Sequence, residues 1–197
     1  MQYVKIPEER IGVLIGAEGE MKERIEKLTK IRILIDSKTG DVSIDERECD
    51  DPLAGVKAAE FVRAVGRGFN PEKAFKLLRD EFYLESLDIR DYVGKKGEHV
   101  RRMRGRIIGT DGKTRRIIES LSGTDVSISG NTVSIIGEVI EVGIARTAVD
   151  MILSGSEHAT VYRFLERKRK EMRLSELGYV EYRQDDEEDE GIDVKDD

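Results

Sequence analysis

Cysteine occurs once in this sequence, at Cys49, so no intramolecular disulfide can form and an intracellular, cytoplasmic location is expected. Histidine occurs twice, at His99 and His158, and neither has a second histidine or a cysteine at metal-ligand spacing. No metal site and no cofactor are therefore expected, and His158 is expected to pack or cap. No Ser-His-Asp or Cys-His set stands out, and Asp and Glu are too plentiful to nominate a pair, so no catalytic residue is expected. Nothing at the start resembles a signal peptide, and no apolar run approaches the roughly 18 residues that span a bilayer. Asparagine and glutamine number two each, while 38% of residues are charged against a usual quarter or so. Scarce labile residues with abundant Lys, Glu and Arg point to a thermophile.

Proline occurs three times, and each one reads as a helix start: Pro7, Asp51-Pro52 and Asn70-Pro71. The formal net charge of −7 conceals two opposite regions. Asp185 to Asp197 carries nine acids against Lys195 alone, which leaves the remaining chain near balance. That segment has almost nothing apolar and is expected to be a disordered tail over residues 184–197.

Positive charge gathers around Ile107-Ile108-Gly109-Thr110-Asp111-Gly112-Lys113-Thr114-Arg115-Arg116. From Arg90 to Arg116 there are ten Lys/Arg against three Asp/Glu. Val100, Met103 and Ile107 fall at i, i+3 and i+7 and can share one helix face, flanked by Arg101, Arg102, Arg104 and Arg106. Ile117, Ile118 and Leu121 mark a second helix after the glycines. The reading is helix, tight Gly-x-x-Gly turn, helix, with the second helix pointing free N–H groups over the loop. That is a phosphate site. Gly-Lys-Thr also ends a Walker A motif, but Ile107 stands where its first glycine is needed, and that reading fails.

The same pattern occurs 93 residues earlier, at Gly16-Ala17-Glu18-Gly19. At that offset Gly12 matches Gly105, Ile25 matches Ile118, Glu26 matches Glu119 and Leu28 matches Leu121. Each loop is followed by a helix and two strand patterns of period two: 31–35 with 42–44, and 126–128 with 133–135. The chain is an internal duplication of strand, helix, GxxG, helix, strand, strand, helix. The halves are expected at 1–79 and 80–183, packed together because no Gly/Ser/Pro-rich linker separates them. Asp88 to Gly94 has no counterpart in the first half. Gly94-Lys95-Lys96-Gly97 mimics the motif but reads as a basic loop beside the groove. Likewise Arg167 to Lys170 reads as a solvated helix face.

This order resembles the type I KH domain, whose GxxG loop clamps about four nucleotides of a single strand. The resemblance implies an α+β fold of two tandem type I KH domains (β-α-α-β-β-α), each a three-stranded antiparallel sheet packed on helices. Together with the basic run Arg101–Arg116, it is similar to the archaeal ribosomal-RNA-processing KH-domain protein. That protein is a relative of the eukaryotic small-subunit assembly factor that partners a PIN-domain endonuclease. The resemblance implies a non-enzymatic protein binding the 3′ region of small-subunit ribosomal RNA. Ile108, Gly109, Thr110, Asp111, Gly112, Lys113, Arg115 and Arg116 would hold RNA, joined by Arg101, Arg102, Arg104, Arg106 and Ile107, with Val126, Ser127 and Ile128 as the opposite wall. The first loop, Gly16, Ala17, Glu18 and Gly19, is followed by Glu20 and Glu23 and reads as degenerate. Its half would dock a PIN-domain endonuclease or another small-subunit assembly or translation factor. The alternative is a protein-interaction scaffold in which RNA contact is incidental.

Overall fold

The computed structural model describes residues 1–47, 49 and 51–176. The expected acidic tail, and the last residues of the expected second half, lie outside them. The first half runs β1 (Gln2–Lys5), α1 (Glu8–Ile15), α2 (Glu20–Thr29), β2 (Arg32–Ile35), β3 (Asp41–Asp45), α3 (Ala54–Gly66) and the short α4 (Pro71–Ala74). The second runs β4 (Phe82–Asp88), α5 (Arg90–Val93), α6 (Gly97–Ile108), α7 (Lys113–Ser122), β5 (Asp125–Ser129), β6 (Thr132–Glu138), α8 (Val139–Leu153) and α9 (His158–Glu176). Each half forms an antiparallel three-stranded sheet with its last strand in the middle, in the orders β1-β3-β2 and β4-β6-β5. Among the described residues no helix is long and apolar enough to cross a membrane.

The duplication repeats down to single hydrogen bonds. Glu26 accepts the Ile33 amide at 2.7 Å, and Glu119 accepts the Val126 amide at 3.0 Å. The carboxylate thereby ties each second helix to the strand that follows. Lys22 lies 3.6 Å from Glu26, and Arg115 lies 3.5 Å from Glu119 in the same i,i+4 relation. Thr29 and Ser122 each donate to the carbonyl one turn back, Ile25 and Ile118, at 2.7 Å.

The strands explain how the halves join. On β3, burial alternates, as a sheet with one wet face requires. On β6, Val133 to Gly137 are all buried. Val133 and Ile135 face the second half's own helices, while Ile136 packs into the core of the first half with the partly buried Phe82 and Leu84. The first half therefore covers the outer face of the second sheet. Burying a side chain the size of Ile136 contributes about 1.5–3 kcal/mol. The fully buried hydroxyl of Ser134 is satisfied by Ser86 Oγ at 2.9 Å. Polar contacts rim this apolar joint. Asp125 binds Lys73 and Lys76 of the first half, both at 2.7 Å, and Arg67 reaches Thr132 Oγ1 at 3.2 Å.

Proline placement agrees with the sequence reading in part: Pro71 is the first residue of α4, whereas Pro7 stands at the cap of α1 and Pro52 lies in a turn before α3, which starts at Ala54 with Leu53 as its cap. Asn70 accepts from the Glu72 amide with Pro71 at the first helical position, and Asp51 accepts from the Leu53 amide. One core expectation fails. Leu28 is 58% exposed, whereas its counterpart Leu121 is packed. The long α9 lies against α7 and α8. Its counterpart, α4 with the turn Phe75–Leu78, is much shorter, and Leu28 lines an open cleft together with Leu78.

Candidate nucleic-acid interface

Helix α6 buries Val100, Met103 and Ile107, and it stops at Gly109, whose N–H bonds the Gly105 carbonyl at 2.8 Å. Gly109 has φ +72°, and a Cβ there would lie 2.7 Å from the Thr114 backbone nitrogen, so only glycine allows α7 to start this close. Asp111 (φ 51°) and Gly112 (φ 74°) complete the turn. The first loop copies it: Gly16 has φ +77°, a Cβ would lie 2.8 Å from the Met21 nitrogen, and Glu18 sits at φ 52°. In shape the two loops are alike.

They differ in charge. The first turn of α2 carries Glu20 and Glu23, which suit the positive end of a helix. In α7 the first turn is Lys113, Thr114, Arg115 and Arg116, with no acid and no side-chain cap on its amides. Cations there oppose the helix dipole, at a cost of about 0.3–1 kcal/mol each. Among the described residues Arg101, Arg102, Lys113 and Arg116 form no ion pair, and all four are exposed. Around the first loop Lys5, Lys22 and Arg24 pair with Asp41, Glu26 and Glu72. Arg24 also lies over the Phe75 ring, and Arg10 donates to the Val65 and Phe69 carbonyls. Neither helix start has a side-chain cap on its amides, but only the second loop adds free positive charge to them.

Not every residue expected at the RNA surface lies on it. Arg106 is turned inward and donates to the Ile152 carbonyl at 3.1 Å and the Ser156 carbonyl at 2.5 Å. It performs for α8 what Arg10 performs for α3. Ile107 is fully buried and Val126 is 3% exposed, so both belong to the core. The Ser127 hydroxyl is taken by the Arg67 carbonyl at 2.8 Å, where the first half docks. Arg115 is drawn toward Glu119. Ile108 and Ile128 stay partly exposed across the groove, and Arg104 Nη1 lies 3.5 Å from the Gly130 carbonyl in the β5–β6 turn.

Two residues missed by sequence reasoning stand at the loop. On the side of α9, a cleft of about 490 Å³ runs between Arg102, Gly109, Lys113, His158 and Tyr162. The Tyr162 hydroxyl pairs with the buried Thr114 Oγ1 at 2.9 Å, and His158 Nε2 pairs with the Arg106 carbonyl at 2.9 Å. Helix α9 thus braces the loop from behind. Among the described residues no group of His, Cys, Asp or Glu is placed to hold a metal ion.

Comparisons with known proteins agree with this geometry. The family model for the second KH domain of PNO1, described as a eukaryotic type KH-domain (KH-domain type I), matches residues 83–170. The KH domain-containing protein MJ0443 of Methanocaldococcus jannaschii is 49% identical over 176 residues, 88% of this chain and 76% of that protein. The RNA-binding protein PNO1 of Oryzias latipes is 33% identical, over 82% of this chain and 68% of its own length. Among solved structures, the a/eIF2alpha–aDim2p–rRNA complex from Pyrococcus horikoshii OT3 superposes with a TM-score of 0.81. The identity there is 51%, over 86% of this chain and 94% of the matched one. With half its residues shared across most of both chains, this chain belongs to the PNO1/Dim2 family of KH-domain proteins.

Proposed function

We propose that this chain is a non-catalytic, cytoplasmic RNA-binding protein of ribosome assembly, gripping the 3′ region of small-subunit ribosomal RNA in the GxxG loop at Gly109–Gly112. The observation that carries the reading is the uncapped first turn of α7, which holds three bases and no acid. Three cations at a helix start lower stability, and an anionic backbone lying over the amides reverses that loss. Relatives named as RNA-binding and pre-rRNA-processing proteins, and a neighbour solved with rRNA, support the same reading. Two KH modules in tandem, residues 1–79 and 80–183, divide the work. Ile108, Thr110, Asp111, Lys113, Arg116, Arg101, Arg102 and Arg104 touch RNA, and Ile128 closes the groove.

The first module, with Glu18, Glu20 and Glu23 about its loop, repels phosphate and docks protein. The neighbour solved with a/eIF2alpha favours a translation-factor partner, and a PIN-domain endonuclease is a second candidate for the same surface. The test is fluorescence anisotropy with a labelled 3′-terminal small-subunit rRNA oligonucleotide and a scrambled strand of equal length. Tighter binding to the first supports the proposal. Equal binding leaves only general affinity for RNA, and no binding favours the scaffold reading.

A further inference from the structure

The RNA track is longer than the clamp. On α6, Arg101 and Arg104 stand seven and four residues before Ile108, so all three fall along one side of the helix, facing the β5–β6 turn. At the foot of that line is the loop Gly94-Lys95-Lys96-Gly97. A second cleft, of about 230 Å³, opens there between Lys95, Gly97, Arg101, Arg104 and Asn131. It continues the groove whose upper end is the GxxG loop.

Three observations set this cleft apart from an ordinary wet surface. Lys95, Lys96 and Arg101 are exposed and form no ion pair among the described residues, while Asp88, at the end of β4, is already bound by Arg90 at 2.9 Å. A Cβ added at Gly97 would meet nothing within 4 Å, so no packing inside the protein calls for glycine there; its absence of a side chain leaves space for another backbone. Finally, the segment belongs to one half only. In the first half Lys5 leads through Ile6 and Pro7 straight into α1, with nothing matching α5 or this loop. The addition occurs in the half whose GxxG loop is basic. Glu98 and Asp91 are exposed acids beside it, so the surface is a strip and not a broad positive face.

We infer that this loop and the lower half of α6 form a second backbone-binding segment, which carries the strand on from the GxxG clamp to Lys95 and Lys96. The inference rests on the RNA reading above and extends it. From Ile108 to Gly97 the helix is about 16 Å long at roughly 1.5 Å per residue. A strand with phosphates at least about 3.4 Å apart passes no more than about four of them over that length. The protein therefore contacts up to about twice the four nucleotides of a bare clamp.

The experiment compares a ten-nucleotide 3′-terminal small-subunit rRNA strand with its nested five-nucleotide fragments, across salt, for wild type and Lys95→Gln/Lys96→Gln. Both lysines are exposed, and melting curves check that the variant folds. Wild type should prefer the ten-mer to the best five-mer by tenfold or more. The variant should lose most of that preference while binding the five-mer as wild type does. Its ten-mer salt slope should be shallower by about 1.4, or about 0.7 for each lost phosphate contact. An unchanged preference, or equal losses on both lengths, would overturn the extended track and leave the clamp standing. A wild type that binds neither length would overturn the RNA reading and the extension together.

Discussion

Asp125 is the polar joint between the halves, and replacing it with asparagine should expose how much that joint contributes. The carboxylate is 13% exposed and receives Lys73 and Lys76, which are 47% and 43% exposed, each at 2.7 Å. Burial alone would raise the pKa of this carboxyl. Hydrogen bonds from Lys73 and Lys76 outweigh burial and hold it below the ordinary value, and the pKa of Lys73 is raised in return, its own burial being outweighed by the bond to Asp125. A charged hydrogen bond contributes about 1.5–3 kcal/mol, and an exposed pair about 0.2–1 kcal/mol. Lysines half in water place the loss in Asp125→Asn at about 1–2 kcal/mol. In a chain of this size that lowers Tm by roughly 2–8 °C. Because the folded pKa lies below the unfolded value near 3.9, the contribution is complete above that value and disappears as pH falls through the folded one. Melting both proteins between pH 7 and pH 2 should show a gap that is full near neutrality and closes in acid. A gap of constant size, or none at pH 7, would refute a charged joint.

Two neighbouring arginines on α6 should behave in opposite ways. Arg106→Ala takes the donor from the Ser156 carbonyl and leaves the Ile152 carbonyl only backbone amides such as that of Gly155, so it should lower stability by about 1–3 kcal/mol in a denaturant melt and leave the salt slope of RNA binding where it was. Arg104→Ala should reduce that slope by about 0.7 and change stability by no more than about 0.5 kcal/mol, since its side-chain hydrogen bond among the described residues is a long 3.5 Å. A reversed pattern would mean that the two side chains have been assigned to the wrong tasks.

Much of the fold was legible because the duplication printed each signal twice. Matched glycines 93 residues apart, strands of period two and the helix-starting Pro71 each have a local cause, and each reappears in the structure. Even the match of Glu26 with Glu119, read only as repetition, marks a carboxylate that holds a strand amide. What escaped depends on distant partners. Arg106 looks like any basic residue beside the loop, and the carbonyls it binds lie 46 and 50 residues further on. His158 and Tyr162 reach the loop only because α9 folds back over α7. Ser127 was placed on the groove wall because a strand pattern cannot say which of its faces another module covers. Ile107 is a different case. It shares the i, i+3, i+7 stripe with Val100 and Met103, so its burial was implied by the same spacing that defined the helix.

The central claim, that the second loop binds RNA and the first does not, is tested most directly by matched charge insertions titrated against a 3′-terminal small-subunit rRNA strand across salt. Thr110→Asp/Lys113→Asp places two acids at exposed sites over the α7 amides; Ala17→Asp/Glu20→Asp leaves two acids at the equivalent sites of the first loop, where Glu20 already supplies one. Both glycines of each turn remain. Acids at a helix start favour the helix by about 0.3–1 kcal/mol each, so the second-loop variant should melt no lower than wild type. It should nevertheless bind at least tenfold more weakly and with a shallower salt slope, while the first-loop variant binds as wild type does. Equal loss from the two variants, or no loss from either, would contradict the account.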